Sequence, residues 1–272
     1  MTPLASTFSN LRAKKLKAFI PFISLGDPNL EATKVFLAEL ARAGATAMEL
    51  GFPYSDPIAD GAVIQASYTR ALANRTSMAE LLRFAQSLQV NGDISSTPRV
   101  AMLSYSLIHR KGAENFVEQA KSSHIAGLIV PDLPVEESTH LLALTRKAGL
   151  DLIQLVTPTT PKERAKRILD SSSGFVYCVS VAGITGERRE LPPELLEQLA
   201  WLRSQTDLPL CVGFGISRPD QVETLRDHCD GVIVGSALVR LCGQVGKKTI
   251  AEVSAEIGDL ARSLVQALHP VS

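Results

Sequence analysis

The 272-residue sequence lacks any bias of charge sign: 28 Lys and Arg offset 28 Asp and Glu, so the formal net charge is zero. A balanced chain carries no basic footprint for a nucleic-acid backbone, and no nucleic-acid partner is expected. Cysteine is sparse. Cys178, Cys211, Cys229 and Cys242 are scattered without a CxxC spacing, which argues against zinc ribbons and dithiol redox motifs. Cys178 and Cys211 fall in apolar runs and read as buried, reduced thiols. His109, His124, His140, His228 and His269 pair with no acid or cysteine at ligand spacing, so no metal is expected. No GxxxxGK loop is present, which disfavours a nucleoside triphosphate. No run of 18 apolar residues occurs, and the N-terminal MTPLASTFSNLRAKKLKAF has no apolar h-region. Neither a membrane span nor a signal peptide is expected, and a cytoplasmic protein follows. No Pro-, Ser- or Gly-rich linker divides the chain, so residues 1–272 are expected to form a single domain.

What the sequence does contain is alternation. Eight short β-rich apolar runs stand at 18–24, 46–50, 99–103, 127–130, 151–156, 174–180, 209–213 and 231–235. Between them lie Ala- and Leu-rich segments of helical period, several followed by glycine. Strands that are apolar on both faces are parallel and covered by helices. Eight such units in a chain of this length predict a (β/α)8 TIM barrel, with an open doubly wound sheet as the alternative. Extra short helices are expected after strands two and eight, beginning at Gly61 and Ser236. Both insertions would lie on the rim where barrel enzymes keep their chemistry.

Strand two runs into MELGFPYSDPIADG. Alternation puts Met48 and Leu50 on one face and Glu49 on the other. If the first pair meets the helices, Glu49 faces the barrel interior. Burial there raises a carboxyl pKa toward values useful for proton transfer. A structural glutamate bonded to the rim is the simpler alternative. The loop from Gly51 to Gly61 is long for a strand-to-helix connection, is stiffened by Pro53 and Pro57, and carries Asp56 and Asp60. Asp60 is equally suited to cap the following helix. Two carboxylates in different environments can nevertheless take different protonation roles.

Three glycine turns follow the last three strands: VSVAGITG (179–186), VGFGIS (212–217) and VIVGSA (232–237). The last opens a helix at Ser236, whose free N–H groups suit a phosphate monoester. Phe22, Tyr105, Tyr177 and Phe214 stand at or near strand ends, where they either fill the core or wall a flat apolar ligand. Asp132, after strand four, is placed to orient another polar group. The charged stretch 186–194 reads as a lid.

These segments together resemble the tryptophan synthase α subunit family. The matching stretches are PFISLGDPN, MELGFPYSDPIADG with Gln65 after it, VPDLPVEES, SVAGITG, GFGIS and VGSALV, in the family's order along nearly the whole chain. The resemblance implies a lyase of tryptophan biosynthesis that cleaves indole-3-glycerol phosphate to indole and glyceraldehyde 3-phosphate by a retro-aldol reaction. It implies Glu49 as general acid/base and Asp60 as acceptor of the indole N–H. Thr185 matches a lid residue, and Gly186, Gly215, Gly235 and Ser236 match phosphate-binding positions. Phe22, Tyr177 and Phe214 match walls of the indole pocket, joined by Ile64, Ile129 and Tyr105. It implies no cofactor in this chain and no Schiff-base lysine. The partner it implies is a pyridoxal-phosphate β subunit in an α2β2 heterotetramer. One departure stands after strand three, where the family's Tyr-x-Asn is replaced by YSLIHRKG. Ser106 and Leu107 therefore alter a loop that helps contact the β subunit. Two other readings stand beside it: a stand-alone lyase that shares these residues and releases free indole, and a catalytically silent barrel that regulates a β subunit, which loss of Glu49 or Asp60 would mark.

Overall fold

A computed structural model describes residues 1–58, 60–90, 94–180 and 193–270. Among them the eight apolar runs form nine parallel strands: β1 Ala18–Ser24, β2 Met48–Gly51, β3 Arg99–Met102, β4 Ile125–Ile129, β5 Asp151–Ile153, β6 Leu155–Val156, β7 Val176–Val179, β8 Leu210–Gly213 and β9 Gly231–Val234. Their order in the sheet is β5–β4–β3–β2–β1–β9–β8–β7–β6. The ninth strand arises because the run 151–156 is interrupted at Gln154. Its first half pairs with β4 and its second with β7, so one stretch of chain belongs to both ends of the order and closes the barrel. The Gln154 carbonyl still accepts from the Tyr177 N–H at 3.0 Å. Its side-chain amide donates to Ser138 Oγ at 3.2 Å and to the Ser171 carbonyl at 3.4 Å. The fold is the expected (β/α)8 barrel.

Alternation along the strands divides the apolar side chains into two cores. Phe19, Ile23, Met48, Leu50, Ala101, Leu128, Leu152, Val176, Cys178, Val212 and Val232 point outward and pack under the helices. Ala18, Ile20, Phe22, Ala47, Val100, Met102, Ile153, Phe175, Tyr177, Val179, Cys211 and Ile233 fill the barrel. All four cysteines are free and buried, as read for Cys178 and Cys211.

The expected extra helices are present. Helix Ala62–Ala73 precedes Met78–Ser87 after β2, and helix Ser236–Cys242 precedes Ile250–Leu268 after β9. The last begins at Thr249 in a capping box with Glu252. A third pair, Tyr105–Lys111 and Ala113–Ser122, follows β3. Gly112, at φ 82°, makes the corner between them. That corner separates two short helices where a simple repeat has one.

The sequence pattern did not reveal helix Pro3–Ala13. It starts with proline in its first turn and is capped by Thr2, whose Oγ1 accepts from the Ala5 N–H at 3.2 Å. Thr2 Oγ1 also donates to Asp151 Oδ2 at 2.6 Å, tying the helix to the start of β5. Leu4 and Phe8 enter the interior core, and the Phe8 ring lies 5.7 Å from Phe175. The helix therefore plugs the N-terminal mouth of the barrel, opposite the rim that carries Glu49 and Asp60. Leu4→Ala is expected to lower unfolding free energy by about 3 kcal/mol through the cavity it leaves. Urea unfolding checks this, and ligand affinity at the opposite rim is expected to stay unchanged.

Candidate active site

Glu49 occupies the inward position of β2 that alternation assigns to it, in register with Phe22 of β1 on one side and Val100 of β3 on the other. It is 1% exposed, and its Oε2 has no hydrogen-bond partner. The reading of Glu49 as a rim-bonded structural glutamate therefore has no bond at this oxygen to rest on. Burial, and secondarily the charge of Asp60, raises its pKa to about 8. At neutral pH the side chain holds a proton.

Asp60 is 5% exposed at the end of the loop after β2. Helix Ala62–Ala73 is capped by Gly61 and has no side-chain cap bond, so Asp60 is not spent as a helix cap. Its backbone is pinned: the Asp60 N–H donates to the Pro57 carbonyl at 3.0 Å, and Gln65 Nε2 donates to the Asp60 carbonyl at 2.6 Å. The Tyr54 hydroxyl donates to Oδ2 at 3.3 Å. Burial raises the Asp60 pKa to about 6, opposed by the Tyr54 bond. Glu49 and Asp60 thus sit on opposite sides of neutrality, one protonated and one ionised.

Both carboxyl groups line one cleft, with Phe22, Ile64, Met102, Tyr177, Phe214, Gly215, Ile216, Ile233, Gly235 and Ser236. Inward glycines let the aromatic walls lie across the mouth. A Cβ at Gly51 would meet the Phe22 ring, and one at Gly213 would fall onto Tyr177. Tyr177 meets Phe214 edge-on at 5.7 Å. Phe214 adopts φ 71° and Gly215 φ 77°. For an aromatic residue this left-handed backbone costs about 1–2 kcal/mol. The turn is held by Ser180, whose hydroxyl donates to the Phe214 carbonyl and whose N–H donates to the Gly213 carbonyl at 3.0 Å. Ser236 opens the short helix after β9, with Gly235 as its N-cap. Gly215, Gly235 and Ser236, after the neighbouring strands β8 and β9, line the cleft that the carboxyl groups share.

The structure brings together most of the residues expected from sequence: Glu49, Asp60, Phe22, Ile64, Tyr177, Phe214, Gly215, Gly235 and Ser236. Ile129 is buried in the interior core and is not among the residues lining the cleft. Tyr105 packs against the outer, helix-facing core because it begins the helix after β3. Thr185, Gly186 and the expected lid at 186–194 lie outside the described residues, apart from the start of helix Pro193–Gln205. Asp132 does orient polar groups. Its Oδ2 accepts from Ser104 Oγ at 2.7 Å and its Oδ1 from the Tyr105 N–H at 2.8 Å, which organises the start of the helix that holds Ser106 and Leu107, expected from sequence as a loop. Met102 and Ile233 were not singled out from sequence, although the strand alternation that turned Glu49 inward also turns them inward. Ile216, Tyr54 and Gln65 act from loop and helix positions, where no period reveals a direction.

Fold and cleft together define a (β/α)8 barrel with two buried carboxyl groups in an aromatic-walled mouth. The chain belongs to the tryptophan synthase alpha chain family, whose model matches residues 8–268. It is 48% identical to a tryptophan synthase alpha chain of Rhodopirellula baltica, over 98% of this chain and 99% of the relative. The tryptophan synthase subunit alpha of Legionella pneumophila superposes with a TM-score of 0.90 at 34% identity, covering 100% of both chains. A chain of the tryptophan synthase complex from Pyrococcus furiosus superposes at 0.82 with 36% identity, covering 92% of this chain and 98% of that one.

The raised pKa of Glu49 has a stability consequence. Between about 4.5 and about 8 the folded chain keeps a proton that the unfolded chain releases. The stability held by protonated Glu49 is complete below the unfolded value and is lost as pH rises through this window. Glu49→Gln does not titrate. Its stability relative to the unsubstituted protein is expected to grow by on the order of a few kcal/mol across the window and to level off above it. Urea unfolding at several pH values checks this; parallel curves would contradict the assignment.

Proposed function

We propose that the cleft cleaves indole-3-glycerol phosphate to indole and glyceraldehyde 3-phosphate. The observation that carries this reading is the pair of buried carboxyl groups, Glu49 and Asp60, in one aromatic-walled cleft. Protonated Glu49 delivers its proton to indole C3. The positive charge that develops at the ring N–H is offset by ionised Asp60, which accepts that N–H. Glu49, now a carboxylate, takes the proton of the hydroxyl on the adjacent side-chain carbon. The bond from C3 to that carbon breaks, its electron pair returns to the ring, and the carbon becomes the aldehyde. Glu49 ends as it began, so one carboxyl group with a pKa near neutrality serves both transfers.

The remaining roles follow the shape of the cleft. Phe22, Tyr177, Phe214 and Ile64 take the indole ring, with Met102 and Ile233 below it. Gly215, Gly235 and Ser236 take the phosphate through backbone N–H groups and the start of a helix. Thr185 and Gly186 complete the lid and the phosphate site in this reading. No cofactor is needed by this chain, because neither proton transfer calls for an electron sink.

The partner in this reading is a pyridoxal-phosphate β subunit in an α2β2 heterotetramer, in the cytoplasm. An apolar residue on the acidic loop supports a docking role for this rim: Ile58 is 87% exposed. A groove beside it is shared by Tyr54, Asp56, Leu72, Leu107 and Asp132. No described helix is long and apolar enough to cross a membrane.

Indole release from indole-3-glycerol phosphate tests the reading. The pH profile of kcat/KM is expected to be a bell with limbs near 6 and 8, since Asp60 must be ionised and Glu49 protonated. Glu49→Gln is expected to abolish cleavage while binding of a phosphate ligand survives. Asp60→Asn is expected to lose about 10²-fold in kcat. Near-normal turnover by either variant would remove that residue from the mechanism. Addition of a β subunit separates the remaining alternative: a sharp rise in rate identifies the α role, and an unchanged rate identifies a stand-alone lyase.

A further inference from the structure

Asp60 faces a conflict that its own position creates. Burial favours the neutral acid, yet a neutral carboxyl cannot offset charge at a ligand N–H. The feature that opposes this is a tyrosine six residues earlier on the same loop. We propose that Tyr54 is the positioning residue for Asp60: its hydroxyl grips Oδ2, keeps the group an anion, and leaves Oδ1 to accept from the ligand.

The geometry carries this in three parts. The Tyr54 hydroxyl donates to Asp60 Oδ2 at 3.3 Å, and among the described residues no other side chain hydrogen-bonds that carboxylate. The Tyr54 ring is fixed against Tyr68, centroid to centroid 5.5 Å and tilted by 54°. Tyr68 is itself buried on the helix that follows Asp60. The hydroxyl therefore reaches Asp60 from a rigid platform instead of from a mobile loop tip.

Burial keeps the hydroxyl a donor. It pushes ionisation of the phenol far up, and the charges of Asp60 on its own loop and Asp132 on the loop after β4 add to that effect. Asp56 and Arg110 line the same outer groove, and Glu49 and Tyr68 lie on the inner side of Asp60. A donor that does not titrate near neutrality stabilises the carboxylate and not the acid.

The inference rests on the acid–base reading of the cleft, and Tyr54→Phe in the full chain tests it. The substitution keeps the ring stack and removes only the hydroxyl. The acid limb of kcat/KM is expected to move up by about 0.5–1 pH unit, lowering kcat/KM at pH 6 by about 2- to 5-fold. The loss is expected in kcat more than in KM, with the alkaline limb unchanged. A carbon-13 NMR titration of the Asp60 carboxyl in both proteins is expected to show the same upward shift without substrate. A uniform drop at every pH, or an acid limb that superimposes on that of the unsubstituted protein, overturns the proposal. The NMR readout keeps the two claims apart. Absence of cleavage by the unsubstituted chain would sink the acid–base reading, whereas an unmoved Asp60 titration in Tyr54→Phe would sink the role of Tyr54.

Discussion

A carboxyl group buried at the end of a barrel strand, with one oxygen unpartnered, is the constraint around which the rim is arranged. An ionised carboxylate in that position would cost several kcal/mol, so the group keeps its proton instead. The protonated state depends on what surrounds Glu49: Phe22 in register on β1, Val100 on β3, and the Tyr177 and Phe214 rings across the mouth. Water or a cation at the same place would return the carboxyl to its ordinary range. The apolar wall of the cleft therefore does two things at once. It offers a surface to a flat ring, and it sets the protonation state of the group that, in the proposed reaction, acts on that ring.

A pair of acids held apart in pKa needs a frame that does not slip. Helix Ala62–Ala73 supplies Ile64 and Tyr68 and ends the loop that carries Asp60. It is tied to the turn after β1 at three successive levels. Ser67 and Ser24 share a 2.6 Å hydrogen bond in the core. Arg70 grips Asp27 through two bonds of 2.7 and 2.8 Å. Asn74 donates to the Gly26 carbonyl at 3.0 Å and the Pro28 carbonyl at 2.5 Å. Asp27 is 1% exposed, so Arg70 is its compensation: burial raises the Asp27 pKa and the guanidinium opposes it. Gln65 closes the frame from the other end by holding the Asp60 carbonyl.

Much of this was legible in the sequence because it is periodic. The eight apolar runs became barrel strands, and the alternation in MELG turned Glu49 inward without reference to any relative. The same alternation would have nominated Met102 and Ile233 had it been carried to every strand. What was not legible is aperiodic. The fifth strand reads as one apolar run, and only the tertiary structure divides it at Gln154 between two neighbours. Helix Pro3–Ala13 is short and polar on most faces, and Leu4 and Phe8 alone betray its buried side. Tyr105 was grouped with the cleft aromatics because it follows a strand. It turns away because a helix starts there, capped by Ser104, with Asp132 accepting the Tyr105 N–H. The standing of Asp60 changed most. Its residue type suited a helix cap, and only the folded loop puts Gly61 in that role and turns the carboxylate into the cleft.

The strain in the rim follows from the same demand. Phe214 is a bulky residue in a left-handed backbone conformation, held there by Ser180 at the end of the neighbouring strand. A glycine would adopt that backbone without cost, but it would leave the mouth without its edge-on partner for Tyr177. The strained residue is one of the walls that keeps water from Glu49. Its cost is borne by a scaffold with two well-filled cores, one inside the barrel and one beneath the helices. Strands buried on both faces leave their ladders little freedom to shift. The fold can therefore hold an unpaired carboxyl, a strained aromatic and a half-buried tyrosine–aspartate bond side by side, because none of them is asked to hold the barrel together.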